Sequence, residues 1–185
     1  MRLKPSSVLL SSLLLLGSAC IVEAPGGASP EERRAATVSQ VPPLSVRNGA
    51  NLGGKVELVG ATVQPGRLTP GEQAKVTVYF KVLQPLEDDY LVFVHVEDVD
   101  GRMDRMNVDH QPAGGLYPTS KWRPGETVKD EFTLYLPPGA PARALNIWLG
   151  LWEPRTDSRL RLTNPQAVRN DGRDRVFLAQ VPVAR

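Results

Sequence analysis

Apolar and polar positions alternate in short runs along much of the chain. Ala74, Val76, Val78, Phe80 and Val82 fall on one side of such a run, with Lys75, Thr77, Tyr79 and Lys81 on the other. Val92, Val94 and Val96 repeat the pattern, as do Phe132, Leu134 and Leu136, and then Ile147, Leu149 and Leu151. A period of two belongs to extended strands that bury one face. Turn chemistry separates the runs. Thr69-Pro-Gly-Glu72 and Arg123-Pro-Gly-Glu126 both set proline and then glycine where a type II turn wants them. The pattern predicts about eight strands and no convincing helix after residue 50. The expected fold is all-β, an antiparallel immunoglobulin-like β-sandwich.

One hairpin is predicted in more detail, around Asp98-Val-Asp-Gly101. A two-residue loop would set Val92 and Val94 on one face with Asn107 and Asp109. A three-residue loop, Val99 to Gly101, pairs Val94 with Met106 and Val92 with Val108. A slip of one residue exchanges faces, so the apolar pattern selects the second register. Gly101 then takes the left-handed position of such a loop. This leaves Leu91, Phe93, His95, Arg105, Asn107 and Asp109 on the opposite face, an unusual mixture for a plainly solvated surface.

The N-terminus has a different grammar. Arg2 and Lys4 precede an apolar run, Val8 to Leu16, and small residues Gly17, Ser18 and Ala19 lead to Cys20, the one cysteine of the 185 residues. Basic, apolar and small segments in that order make an export signal, and the run is short for a membrane span. Leu16-Gly-Ser-Ala-Cys20 resembles the lipobox of bacterial lipoproteins. The resemblance implies cleavage after residue 19, acylation of the Cys20 thiol and new amine, and anchoring in a membrane. Two or more acyl chains hold a protein stably at roughly 0.8 kcal/mol per buried methylene. Ile21 and Val22 follow the cysteine, where that family's inner-membrane retention signal would place an aspartate, so the outer membrane is the expected address.

Removal of residues 1–19 takes two of the 22 basic residues and none of the 20 acidic ones, leaving 20 against 20. No basic-patch argument for nucleic acid survives that count. Residues 20–50 read as the lipidated cysteine and a Pro/Gly-rich tether, with Ser29-Pro-Glu-Glu32 able to cap a short helix. Residues 51–185 read as the sandwich domain.

Candidate chemistry is sparse. Gly49-Ala-Asn-Leu-Gly-Gly-Lys55 has phosphate-loop spacing, yet a strand pattern follows it in place of the helix whose N-terminus would receive phosphate. Asp98, Asp100 and Asp104 fail the calcium-loop spacing and suit a turn. His95 and His110 fall on opposite faces and cannot easily share a metal. No nucleophile-elbow serine or zinc-protease motif is present. No cofactor, metal or catalytic set is expected, and an unrecognised hydrolase is the third-ranked function.

Asn146-Ile-Trp-Leu-Gly-Leu-Trp152 carries the most suggestive surface. Ile147, Leu149 and Leu151 face one side; Trp148, Gly150 and Trp152 face the other, with glycine leaving a gap between the indoles. Such a pair can stack on sugar rings or on a protein partner. The preferred reading buries the strand on both faces, or covers it with the Tyr117 to Trp122 loop, because buried aromatics are common. The candidate surface therefore comprises Trp148, Trp152, Trp122, Tyr117, Phe93, His95, Arg105 and Asp109.

From Asp89 the chain reads DYLVFVHVEDVDGRM, then HQPAGGLYPTSKWRPGE, LYLPPGAP and WLGLWEP. This order resembles a β-sandwich module found at the C-termini of bacterial membrane glycosyltransferases and in some lipoproteins. The resemblance spans about residues 55–182 and implies the fold without implying a catalytic residue. The expected function is a lipid-anchored, non-enzymatic interaction or scaffold module in an envelope complex, with a protein partner. The runner-up is an envelope-glycan-binding module using Trp148 and Trp152 with Tyr117 or Trp122.

Overall fold

The computed structural model describes residues 28–184. The N-terminal helix α1 (Pro30–Ala36) opens on the expected cap. Ser29 Oγ accepts from the Glu32 amide at 3.1 Å, and the Glu32 carboxylate accepts from the Ser29 amide at 2.8 Å. A seven-residue helix is too short to persist alone in water. Here it is held by the body: Ala36 is buried, the Val38 amide donates to Thr127 C=O, and Arg33 approaches Glu126 at 3.6 Å.

Nine strands follow: β1 (Val46–Leu52), β2 (Val56–Gln64), β3 (Gln73–Val82), β4 (Leu91–Asp98), β5 (Met106–Asn107), β6 (Thr127–Tyr135), β7 (Ala144–Glu153), β8 (Ser158–Arg159) and β9 (Val176–Pro182). They form two antiparallel sheets. One runs β1-β2-β3-β6; the other runs β5-β4-β7, with β8 and β9 sharing the far edge of β7. The protein is an antiparallel β-sandwich. All four alternating runs seen in the sequence turn inward and supply the shared core, from Val76 and Phe80 to Ile147 and Leu151. Both Pro-Gly turns form, with Glu72 donating to Thr69 C=O at 2.9 Å and Glu126 to Arg123 C=O at 3.1 Å. The stretch with phosphate-loop spacing is the β1–β2 hairpin turn, where the Lys55 amide bonds Leu52 C=O at 3.0 Å.

Two expectations need correction. The tether does not extend to residue 50: α1 and β1 lie within the body, so the chain from Ser29 onward already belongs to the folded part. Strand β1 escapes the alternation rule because its pairing with β2 shifts register between Arg47 and Ala50, at Gly49. The β4–β5 register also differs. Val96 pairs with Met106 and His95 with Asn107, two residues from the expected pairing. A slip of two preserves faces. Its cause is the Asp98 carboxylate, which accepts from the Asp100 and Arg102 amides at 3.3 and 2.7 Å and winds the connection around itself. Strand β7 meanwhile pairs with β4 through to Asp98.

The Gln111–Trp122 segment closes one end of the sandwich. His110 bridges the two sheets: Nε2 lies 2.8 Å from Asp130 Oδ2, and Nδ1 lies 2.8 Å from Val108 C=O. Asp130 is fully buried and its other oxygen accepts from the Ala113 amide at 2.8 Å.

Candidate functional site

The outer face of the second sheet is where polar, charged and aromatic side chains converge. Strand pairing sets Phe93 opposite Gly150, His95 opposite Trp148, and Leu91 opposite Trp152. β5 and its flanks add Arg105, Asn107 and Asp109 on one side; β8 adds Arg159 on the other. The excursion between β7 and β9 returns over this face with Arg173, Asp174 and Arg175. The result is a groove of about 600 Å³ lined by Phe93, His95, Arg105, Asp109, Trp152, Asp157, Arg159, Arg173 and Asp174. That volume lies in the range of small-molecule sites.

Phe93 forms the floor. It is 2 % exposed, lies 5.2 Å from the His95 ring, and carries the Arg159 guanidinium 4.6 Å above its centroid. A Cβ built on Gly150 would come within 2.5 Å of Phe93 Cζ and 2.9 Å of Asp174 C=O. The glycine therefore makes room for Phe93; the gap that the sequence left between the two indoles is filled.

The two indoles have different fates. Trp152 is half-buried in the groove wall, its Nε1 donating to Asp157 Oδ1 at 3.0 Å. Trp148 is 8 % exposed, edge-on to Phe177 at 5.3 Å, with the Arg169 and Arg175 guanidinia 5.4 and 5.3 Å from its ring centroid. The cover over Trp148 comes from β9 and the segment before it, and the Tyr117–Trp122 loop lies elsewhere. Tyr117 and Trp122 are core residues, 1 % and 2 % exposed. Trp122 packs on Phe80 and donates to Tyr117 C=O at 2.8 Å, while the Tyr117 hydroxyl lies 2.6 Å from Glu126 Oε2. Burial and that carboxylate push the phenol well above its ordinary value. Of the eight expected residues, Phe93, His95, Arg105, Asp109 and Trp152 line one groove, Trp148 lies outside it beside His95 in the β4–β7 pairing, and Tyr117 and Trp122 do not belong to it.

The charges in the groove are unevenly committed. Each carboxylate has a local duty: Asp109 Oδ1 accepts from the Val94 amide at 2.8 Å, Asp157 from Trp152, and Asp174 Oδ1 from the Leu162 amide at 2.8 Å. Arg105 Nε donates to Asn107 Oδ1 at 3.0 Å and Arg159 to Arg173 C=O at 2.8 Å. Among the described residues, no carboxylate lies within ion-pair distance of Arg105, Arg159 or Arg173. Arg175 contrasts with them, paired to Glu97 and Asp171 at 2.6 Å each. Burial, then Arg105, with Arg175 and Arg159 also contributing, lowers the pKa of His95 against the opposing field of Asp109. Among the described residues no cluster of three or more His, Cys, Asp or Glu is arranged to hold a metal ion.

Asp157, Arg159, Arg173 and Asp174 were missed by sequence reasoning. They lie in an aperiodic segment, Pro154–Arg175, and the available signal was its density of six arginines directly after the Trp152 strand.

No protein-family model matches the chain, and no curated protein matches its sequence. Among solved structures it is similar to the C-terminal domain of wzt, at 14% identity over 78% of this chain and 83% of that one, with a TM-score of 0.42. It is also similar to the CARDB domain of the PF1109 protein from Pyrococcus furiosus, solved in complex with di-metal ions, at 17% identity over 79% of this chain and 100% of that one, with a TM-score of 0.36. Both are β-sandwich modules. The lipobox cysteine lies outside the described residues.

Proposed function

We propose that the protein is a non-enzymatic binding module of a bacterial envelope, anchored by lipid on Cys20, and that it engages its partner through the groove on the outer face of β4 and β7. The observation that carries this reading is the set of three arginines, Arg105, Arg159 and Arg173, with no carboxylate partner among the described residues, Arg159 lying over the aromatic floor of Phe93. Exposed guanidinia and a partly exposed indole concentrate binding energy where they become desolvated. The groove offers no nucleophile beside a base. His95, its one imidazole, has its pKa lowered by burial and by the neighbouring arginines, with Arg175 at 3.3 Å from Nδ1.

Anchoring at Cys20 also fixes the working distance. With α1 seated on the body, the covalent link from Cys20 to Ser29 reaches at most about 30 Å. The domain then works close to the membrane surface, and the absence of an aspartate after Cys20 favours the outer membrane.

Photo-cross-linking in intact cells tests the surface. A benzoylphenylalanine at Arg173 should capture one discrete envelope component, and the same group at Tyr135, half-exposed on the other sheet, should not. Equal capture from both positions defeats the surface assignment. Cys20→Ser should move the protein from the membrane fraction to the soluble fraction; unchanged membrane association defeats the anchor.

A further inference from the structure

We infer that the ligand of this groove is an acidic saccharide, one whose sugar rings carry carboxylates. The inference rests on the groove being the binding surface and adds the chemical class of what fills it.

Three features converge on that class. Arg105, Arg159 and Arg173 are exposed at the rim, and most of their N–H groups have no acceptor among the described residues. A guanidinium fork matches a carboxylate with two parallel hydrogen bonds, and such charge-assisted bonds are about twice as strong as neutral ones. The groove's own carboxylates ask for the opposite partner. One oxygen of each of Asp109, Asp157 and Asp174 is committed to a local N–H, and the second has no donor among the described residues. Those free oxygens accept from hydroxyls. The third feature is apolar: the indole of Trp152 stands half-open in the wall, with Phe93 beneath. An amphipathic ring of this kind receives the C–H face of a sugar while its edge stays hydrated.

A ligand that satisfies all three carries carboxylates, many hydroxyls and flat apolar faces on a repeating ring. Inorganic phosphate would answer only the arginines and would meet three carboxylates. A neutral sugar would leave the guanidinia as they are. Around His95 the guanidinia of Arg105 and Arg159 face the carboxylate of Asp109, while Arg175 is already paired to Glu97 and Asp171.

The test uses the full-length protein in detergent. Galacturonate and mannuronate tetramers are titrated by tryptophan fluorescence and by the NMR pH-titration of His95. Each is compared with its carboxyl-reduced, neutral counterpart. A uronate tetramer should quench or shift emission, raise the His95 pKa, and bind at least tenfold more tightly than its reduced form. Its affinity should fall with added salt, because exposed charges are screened. Arg159→Ala and Arg173→Ala should each weaken binding about tenfold, the scale of one charged hydrogen bond; Arg173→Ala should leave the urea midpoint unchanged, while Arg159→Ala also loses its contacts with Phe93 and Arg173 C=O and lowers it slightly. Equal affinity for the reduced tetramers, or no binding of either uronate, overturns the inference. If uronates fail while the Arg173 cross-linker still captures a protein, the saccharide class falls and the surface assignment stands. If both fail, both fall.

Discussion

Replacing Gly150 by alanine tests whether this position exists to seat Phe93. The added Cβ meets Phe93 Cζ at 2.5 Å, Phe93 Cε1 at 2.6 Å and Asp174 C=O at 2.9 Å. Carbon atoms pack best at about 3.5–4.0 Å, so the ring must retreat by about 1 Å. It cannot do so freely. Arg159 lies over it, His95 beside it, and the Asp174 carboxylate is tied to the Leu162 amide. Overpacking of this kind costs about 1–3 kcal/mol, and alanine's advantage over glycine within a strand returns about 0.5–1 kcal/mol. The net loss is about 1–2 kcal/mol, or about 2–8 °C in Tm for a domain of this size. Phe93→Leu removes the ring atoms that collide, so the double variant should be less destabilised than the sum of the singles, by about 1 kcal/mol. Urea denaturation of the four proteins gives the cycle directly. A neutral Gly150→Ala variant, or strictly additive singles, would refute the packing argument and restore the open gap between the indoles.

Other expectations follow from the same geometry. His110 has an oxygen acceptor at each nitrogen, which suits the imidazolium. Burial opposes the charge, but the bonds to Asp130 and Val108 and the field of Asp109 outweigh it and raise the pKa. Its stabilising contribution is therefore full below pH 6.5 and lost as pH rises through the folded-state value; the difference in urea midpoint between wild type and His110→Gln should shrink across that window, and a flat difference from pH 5 to 9 would contradict it. Glu153 is held at about 2 by the Thr156 hydroxyl, Arg155 and the turn amides. Its contribution is present above pH 4.5 and disappears as pH falls through about 2, so Glu153→Gln should remove acid sensitivity in that interval, read from thermal melts. Ser29→Ala deletes one half of the capping box, worth about 1 kcal/mol. Amide exchange should speed up across α1 with little change in the global Tm, whereas unchanged exchange there would show that the cap does not hold the helix.

The sandwich was legible because its four long runs alternate without interruption, and a strand with one buried face needs nothing more to declare itself. Strand β1 was not, since the register shift at Gly49 breaks the period. The face bearing Phe93, His95, Arg105 and Asp109 was legible for a related reason: a two-residue error in the β4–β5 pairing moves partners along the strand and leaves every side chain on its own side. What the sequence could not place were residues outside the long ladders. Tyr117 and Trp122 sit in an aperiodic loop, where an aromatic ring reads the same whether it plugs a core or meets solvent. Arg159 lies on β8, a two-residue strand paired with β7 and too short to show a period, and Arg173 and Asp174 reach the groove only because the chain after β8 folds back across the sheet edge, a long-range event with no local period.

Whether the outer face of β4 and β7 is where this protein engages the envelope can be read from arginine modification in place. Intact envelopes and the purified protein are treated in parallel with phenylglyoxal, and adducts are quantified by peptide mass spectrometry. Arg105, Arg159 and Arg173 should be shielded in the envelope, while Arg67, exposed on the β2–β3 connection, is modified equally in both. Equal modification of all four would contradict the claim.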